Sequence, residues 1–252
     1  MVLSECPQLI GWVALFTMII ILVDLLRRSR KRVHFFKQLA ALTTRVLGDY
    51  LPEEIDAIYL YSQTPDNCDC QVEKLKRLLT RYPSAKVLVC GEDGSRRCGW
   101  EGHARFKESL LGNGILSQRI ITVPFPSAET MIHTLNESKS LVSYLRTSEH
   151  QKILLVSPSF HQVRCFVSFT SCLREQRCSG QIRARHLNIE VYNSPAHVKS
   201  WQEQACHSQG LLRGPRAKFV HSEIYRMWKY YCKGDLLHPQ QVLEALTRRT
   251  SA

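Results

Sequence analysis

The 252-residue chain has no internal repeat and no low-complexity tract, so a repeat architecture is excluded. It has no Gly-x-Gly-x-x-Gly, no Walker-type Gly-Lys-Ser/Thr and no Gly-x-Ser-x-Gly, which disfavours a conventional nicotinamide site, a P-loop NTPase and a serine hydrolase. Its 10 cysteines are too sparse for a small disulfide-stapled scaffold and lack a zinc-ribbon rhythm. The closest pair, Cys68 and Cys70 in "NCDC", has no second Cys or His pair at a ligand interval, and free thiols in a reducing compartment are the simpler reading. Acidic residues are few, 22 against 34 Lys and Arg, for a formal net charge of +12. Arg27, Arg28, Arg30, Lys31 and Arg32 supply five of those charges, and 12 − 5 leaves +7, with some density between Arg213 and Lys233. A basic face attracts phosphates of any kind. With no aromatic platform or recognition motif, nucleic acid is not an expected partner.

What is present first is an apolar run. "LIGWVALFTMIIILV", Leu9 to Val23, carries no charge, and through Asp24, Leu25 and Leu26 the stretch reaches 18 residues, close to the ~20 a membrane-spanning helix needs. A cleaved signal peptide wants basic residues before its apolar core; here Ser4 and Glu5 precede it and "RRSRKR" follows. The positive-inside rule then predicts a single-pass protein with its amino terminus outside and its soluble part in the cytosol, extracytoplasmic placement being the alternative. Next, Val33, Phe36, Leu39 (or Ala40), Thr43 and Val46 (or Leu47) recur at helical spacing, with Gly48 as a stop. Such a helix either lies on an anionic membrane surface or packs on the domain behind it.

Four apolar runs follow, "IDAIYLYS", "KVLVCGEDG", "RIITVPFPS" and "KILLVSPS", and a fifth at "LNIEVYNS", separated by stretches with helical periodicity. Near-continuous hydrophobicity suits strands covered on both faces. The alternation predicts an α/β, Rossmann-like three-layer domain with a mostly parallel sheet of about five strands. The expected layout is an anchor and basic flank over 1–32, an amphipathic helix over 33–54, the α/β domain over 55–194, and a loop with a helical extension over 195–252. After Pro195 the pattern is poorly periodic and reads as a loop. In "HSEIYRMWKYYCKG", Ile224, Met227, Trp228 and Tyr231 make one face, which docks on the domain or serves a protein partner.

Ligands of open α/β sheets bind outside the carboxyl ends of the strands, where helix amino termini offer free N–H groups. In "KILLVSPSFHQVRCF", Ser159 and Gln162 form a Ser-x-x-Gln capping box that starts a helix at Phe160. His161 then falls in the first turn, and Arg164 shares its face. An arginine fork grips phosphate or carboxylate, and a histidine passes a proton or bonds the same anion; the plainer alternative is that Arg164 pairs with a nearby acid and His161 bonds a loop carbonyl. His161 and Glu101 are the candidate catalytic groups. Arg164, Ser127, Glu129, Thr130, Ser157, Ser159, Gly91 and Glu92 are the candidate ligand-binding groups, and no metal site is expected. Glu101 serves as a base or simply complements a helix dipole. Helix capping suffices to explain at least one of Ser127, Glu129 and Thr130. Cys90, at the end of a buried strand, reads as packing rather than as a nucleophile.

Taken in order, "DAIYLY" at Asp56, "VLVCGEDG" with Glu101, "SAETMIHTLNES" and above all "LLVSPSFHQVR" resemble the SanA/YdcF/ElyC-like family of α/β proteins. The resemblance spans about Ile55 to Asn193. It departs where "YSQ" replaces the family's glycines after the first strand, where Cys90 stands in place of Ser, and where Glu129 and His133 stand in place of Asn. It implies a Rossmann-like fold and association with membrane or envelope processes. A nucleotide-like ligand, S-adenosylmethionine included, is implied by resemblance only. The expectation is a membrane-anchored protein binding an anionic small molecule, nucleotide-like or a phosphorylated lipid carrier, with hydrolytic or group-transfer chemistry; the alternative is a noncatalytic scaffold acting through its C-terminal helices.

Overall fold

Strands that are apolar on both faces need a layer of helices on each side. The computed structural model describes residues 7–92, 100–126, 132–178, 189–207 and 211–250, the side chains of 7–17, 19–24, 177, 178 and 250 excepted. Strands β1 (Ala57–Leu60), β2 (Lys86–Cys90), β3 (Ile120–Val123), β4 (Lys152–Val156) and β5 (Glu190–Asn193) form one sheet in the order β3-β2-β1-β4-β5. Every pairing is parallel, and central Ala57 stands between Lys86 and Ile153. Side chains alternate along the strands: Ala57, Tyr59 and Tyr61 enter one core, while Ile58 and Leu60 enter the other.

Helices α2 (Pro65–Arg81) and α3 (His103–Gly112) cover the second of these cores with Leu75, Leu78, Phe106 and Leu110. The first core lies under α4 (Thr134–Leu145), α5 (Ser159–Cys178) and the C-terminal part of α1 (Pro7–Leu47). Outside it, α6 (Arg216–Lys233) packs on α5, and α7 (Pro239–Thr250) packs on α1. The result is a three-layer α/β domain. Strand order reverses between β1 and β4, where a crevice opens at the carboxyl ends.

The expected boundary between residues 32 and 33 is not a break, because α1 runs unbroken through it. The part that meets the domain buries Phe35, Leu39, Leu42 and Val46, while Val33 stays 66% exposed. The stripe is therefore rotated from the expected one. Phe35 decides this, with its ring 4.9 Å from both Trp228 and Tyr231. Of the two sequence alternatives, this stretch packs on the domain. No helix is long and apolar enough to cross a membrane among the residues whose side chains are described; most of the expected span from Leu9 to Leu26 lies outside them.

The segment expected to be a loop contains a hairpin, β6 (Gln204–His207) paired antiparallel with β7 (Leu212–Pro215). Polar bonds fasten it to the start of α2. The Cys206 carbonyl accepts from Thr64 Oγ1 and Asn67 Nδ2, both at 2.8 Å, and its N–H donates to Asp66 Oδ2 at 2.9 Å. Arg216 adds bonds to Asn67 Oδ1 at 3.1 Å and the Asp66 carbonyl at 2.6 Å. The hairpin's apolar contribution is small, Ala205 and Leu212 packing with Phe160 and Phe219, so the strands carry too short an apolar period for the sequence pattern to show.

The far end of the sheet is locked by a buried pair between Asp49 and Arg249. Asp49 Oδ2 also accepts the N–H and side-chain amide of Asn193, each at 3.0 Å. Asp49→Ala leaves the Arg249 cation buried without its partner. The expected loss is about 3 kcal/mol of stability in urea denaturation; a loss below about 1 kcal/mol, the value of an exposed pair, would contradict this account.

Candidate functional site

The site begins where β4 hands over to α5. Gln162 reaches back from the first turn: its Oε1 accepts the Ser157 N–H at 2.8 Å, and its Nε2 donates to the Leu155 carbonyl at 3.2 Å and Asn193 Oδ1 at 3.0 Å. This corrects the expected capping box. Ser159 gives its backbone N–H to the Ala196 carbonyl at 3.0 Å, and its Oγ finds no partner among the described residues. The box fails because the chain after β5 bridges Pro158 and takes that N–H. The helix nonetheless starts as needed to put His161 and Arg164 on one face.

Both side chains point at α6 and are buried, 3% and 6% exposed, rather than standing at an open rim. There Glu223 receives Arg164 in a fork, Nε to Oε2 at 2.6 Å and Nη2 to Oε1 at 3.0 Å. His161 Nδ1 lies 2.8 Å from Glu223 Oε2, and His207 Nε2, from the end of β6, lies 2.6 Å from Oε1. Burial opposes the Glu223 charge, but Arg164, His161 and His207 together hold its carboxyl well below the usual carboxylate range. Burial, with Arg164 beside it, pushes His161 down to about 3 and keeps the ring neutral. An ionised carboxylate only accepts, so Nδ1 carries the ring proton and donates it to Glu223. Nε2 is then an acceptor, 3.3 Å from Thr134 Oγ1 at the start of α4. Thr134 Oγ1 in turn accepts Arg164 Nη1 at 2.8 Å.

The same cleft has a second carboxyl one turn along α4. Glu137 Oε1 accepts the Ser62 N–H at 2.8 Å, Tyr59 Oη–H at 3.0 Å and Ser62 Oγ–H at 3.1 Å. Burial pushes Glu137 up to about 7 against these donors. The cleft encloses about 480 Å³ at the switch point between β1 and β4, and Ser62, Thr134, Glu137, His161, Arg164 and His207 line its floor. Trp100, Tyr225, Arg226, Lys229 and Tyr230 are also among its lining residues.

His161, His207 and Glu223 each offer a ligand atom within 4.8 Å of the others, the spacing of a metal triad. The hydrogen bonding argues against one. Both imidazole nitrogens already direct N–H at Glu223, and Arg164 occupies both carboxylate oxygens. A divalent cation would have to displace a guanidinium and two protons.

Of the expected site residues, the structure brings together His161 and Arg164, in the plainer arrangement that paired Arg164 with an acid. His161 is corrected as a proton donor, since its ring is neutral. Arg164 is corrected as the primary anion grip, since Glu223 and Thr134 take its donors. Glu101 does not line the cleft; it is exposed and pairs with Arg105 at 3.6 Å on the first turn of α3. Ser157 and Ser159 are buried, and neither lines the cleft. Gly91 and Glu92 do not line it either. A Cβ on Gly91 would stand 2.8 Å from Thr122 Cγ2 and from the Val123 carbonyl, so this glycine serves the close approach of β2 to β3. The Glu92 carbonyl accepts the His103 N–H at 2.9 Å and the Trp100 indole at 3.4 Å. Burial raises the Cys90 thiol, in keeping with packing. Ser127, Glu129 and Thr130 lie outside the described residues.

Sequence reasoning missed Thr134, Glu137, His207, Glu223, Arg226 and Lys229. Glu223 had a signal: it interrupts the buried stripe Phe219, Glu223, Met227 at i, i+4, i+8. His207 had none, because the apolar period of its hairpin is too short to show. Comparison with family models, curated proteins and solved structures finds no match.

Glu137 makes the site's electrostatics measurable. Its folded pKa of about 7 lies above its ordinary 4.5, so its contribution is a cost absent below about pH 4.5 and complete above about pH 7. Glu137→Gln keeps the Oε1 acceptor and removes the titration. The stability of the wild type relative to this variant is expected to fall by about 3 kcal/mol as pH rises through that window, read from urea titrations. A pH-independent difference would sink the assignment.

Proposed function

We propose that the chain is a membrane-anchored α/β protein of SanA/YdcF/ElyC-like character whose strand-end cleft binds a phosphate-bearing small molecule, nucleotide-like or a phosphorylated lipid carrier. The observation that carries this reading is an imbalance of charge. Arg164 and Glu223 cancel one another, whereas Arg226 and Lys229 face the cleft without an ion-pair partner among the described residues. Arg226 is half-buried, and burial together with the nearby Arg164 lowers its pKa. A bound anion relieves that repulsion. Trp100, Tyr225 and Tyr230 supply apolar and aromatic surface for the remainder of the ligand.

The anchor rests on sequence. The apolar run from Leu9 to Leu26 falls within continuous α1, and Leu25 to His34 are exposed before the helix reaches the domain. The basic residues from Arg27 to Arg32 sit at the foot of that run and keep the cleft on the cytosolic side. Chemistry in the cleft is hydrolytic or group-transferring, with Glu137 replacing Glu101 as the acid–base group because its pKa lies near neutrality. Val220, Ile224 and Tyr225 expose apolar surface on α6, which favours noncatalytic scaffolding as the second reading.

Calorimetry on the full chain in detergent, with a nucleoside diphosphate and with a polyprenyl phosphate, tests the cleft. At least one probe should bind, and Arg226→Ala with Lys229→Ala should weaken it tenfold or more, since a charge-assisted contact contributes about 1.5–3 kcal/mol. Binding that ignores both substitutions would refute the anion grip. Failure of both probes to bind would favour the scaffold.

A further inference from the structure

The orientation of His161 goes beyond binding. Its Nδ1–H is pinned to Glu223 at 2.8 Å, and among the described residues its Nε2 lone pair meets only the Thr134 hydroxyl, at 3.3 Å. That nitrogen belongs to a residue lining the cleft into which Arg226 and Lys229 also face. Glu137 lies on the same face of α4 as Thr134, three residues on. A nucleophile, its orienting carboxylate, cations for the transferred group and a separate acid are thus assembled around one space. We propose that His161 is a covalent nucleophile, its Nε2 accepting a phosphoryl group from a phosphate monoester or phosphoanhydride, with Glu137 as the proton donor to the leaving group; this rests on the anion-binding reading above.

The step balances without a further reagent. The Nε2 lone pair forms a P–N bond as the bond from phosphorus to the leaving oxygen breaks, and the Glu137 carboxyl gives its proton to that oxygen. The phosphorylated ring, still carrying Nδ1–H, is cationic, and Glu223 compensates it. Water then gives a proton to the Glu137 carboxylate while its oxygen forms a bond to phosphorus and the P–N bond breaks, returning the lone pair to Nε2. An acceptor alcohol in place of water makes the same sequence a transfer. Neutrality of His161 suits the role, because a ring that stays unprotonated needs no base to expose its lone pair. Arg164 donates to the Thr134 hydroxyl, which favours that oxygen as a contact to the phosphate rather than as the attacking group.

The full chain is incubated with p-nitrophenyl phosphate, quenched, and mapped by mass spectrometry for an added phosphoryl group. The expected result is a modification on His161 that survives alkali and is lost in acid, the behaviour of a P–N bond. Glu137→Gln should retain modification and lose it at least about a hundredfold more slowly, since its carboxylate no longer takes the proton from water. His161→Asn should carry no phosphoryl group, with its fold checked by circular dichroism. An acid-stable adduct on Thr134, or p-nitrophenol release without any phosphoryl-protein, would overturn the proposal. Calorimetry with p-nitrophenyl phosphate separates the two readings: binding without modification or turnover removes the nucleophile and leaves the anion cleft, whereas absence of binding removes both.

Discussion

Glu223 is the group on which the arrangement of the cleft depends. Arg164 is sealed beneath α6, and an unpaired guanidinium there would be costly to keep out of water. Glu223 meets it with both oxygens and also accepts an N–H hydrogen bond from each of two imidazoles. One carboxylate thereby ties three separate pieces of chain: α5 through Arg164 and His161, α6 through its own backbone, and the hairpin through His207. The apolar contacts between these elements are ordinary, but they do not choose one orientation for the histidines. The carboxylate does, by accepting only.

Two consequences reach the cleft. Because Arg164 and Glu223 cancel, the positive field comes from Arg226 and Lys229, which share α6 with Glu223. The helix that neutralises the floor thus delivers the cations of the wall. Because the Nδ1–H of His161 is bonded to Glu223, its other nitrogen is left to meet Thr134, a second residue of the cleft lining. Glu137, buried among neutral donors from Tyr59 of β1 and from Ser62, two residues beyond that strand, titrates near neutrality because burial outweighs those donors and the nearby Arg164. Two buried carboxyls, Glu137 lining the cleft and Glu223 bonded to its lining residues, are driven in opposite directions, one by burial and one by a cation.

Much of the scaffold was legible in local patterns. Continuous apolar runs marked each strand of the sheet, and helical spacing marked the crossovers between them. The turn after β4 identified His161 and Arg164 as neighbours at a strand end. Legibility failed where the stabilising bonds are polar and distant in sequence. The β6–β7 hairpin is fastened by Thr64, Asp66 and Asn67, and its apolar period is too short to announce it. Gln162 caps Ser157 rather than completing a box with Ser159, because Ala196 has taken the local N–H. Phe35, rather than Val33, turns the buried stripe of α1 toward Trp228 and Tyr231.

The amino-acid sequence alone determined a parallel α/β architecture, a charge-free apolar run before a basic cluster, and the shared face of His161 and Arg164. Each depends on period, composition or spacing within a few residues. Only the tertiary structure decided which acid meets Arg164, which nitrogen of His161 carries the proton, and that Glu137, rather than Glu101, lines the cleft, where burial raises its pKa to about 7. Those properties arise from burial and from partners about 60 to 80 residues away along the chain, as with Glu223 for His161 and Tyr59 for Glu137. Desolvation and Coulomb interaction depend on distance in space, and spacing in a string of residues carries no such distance.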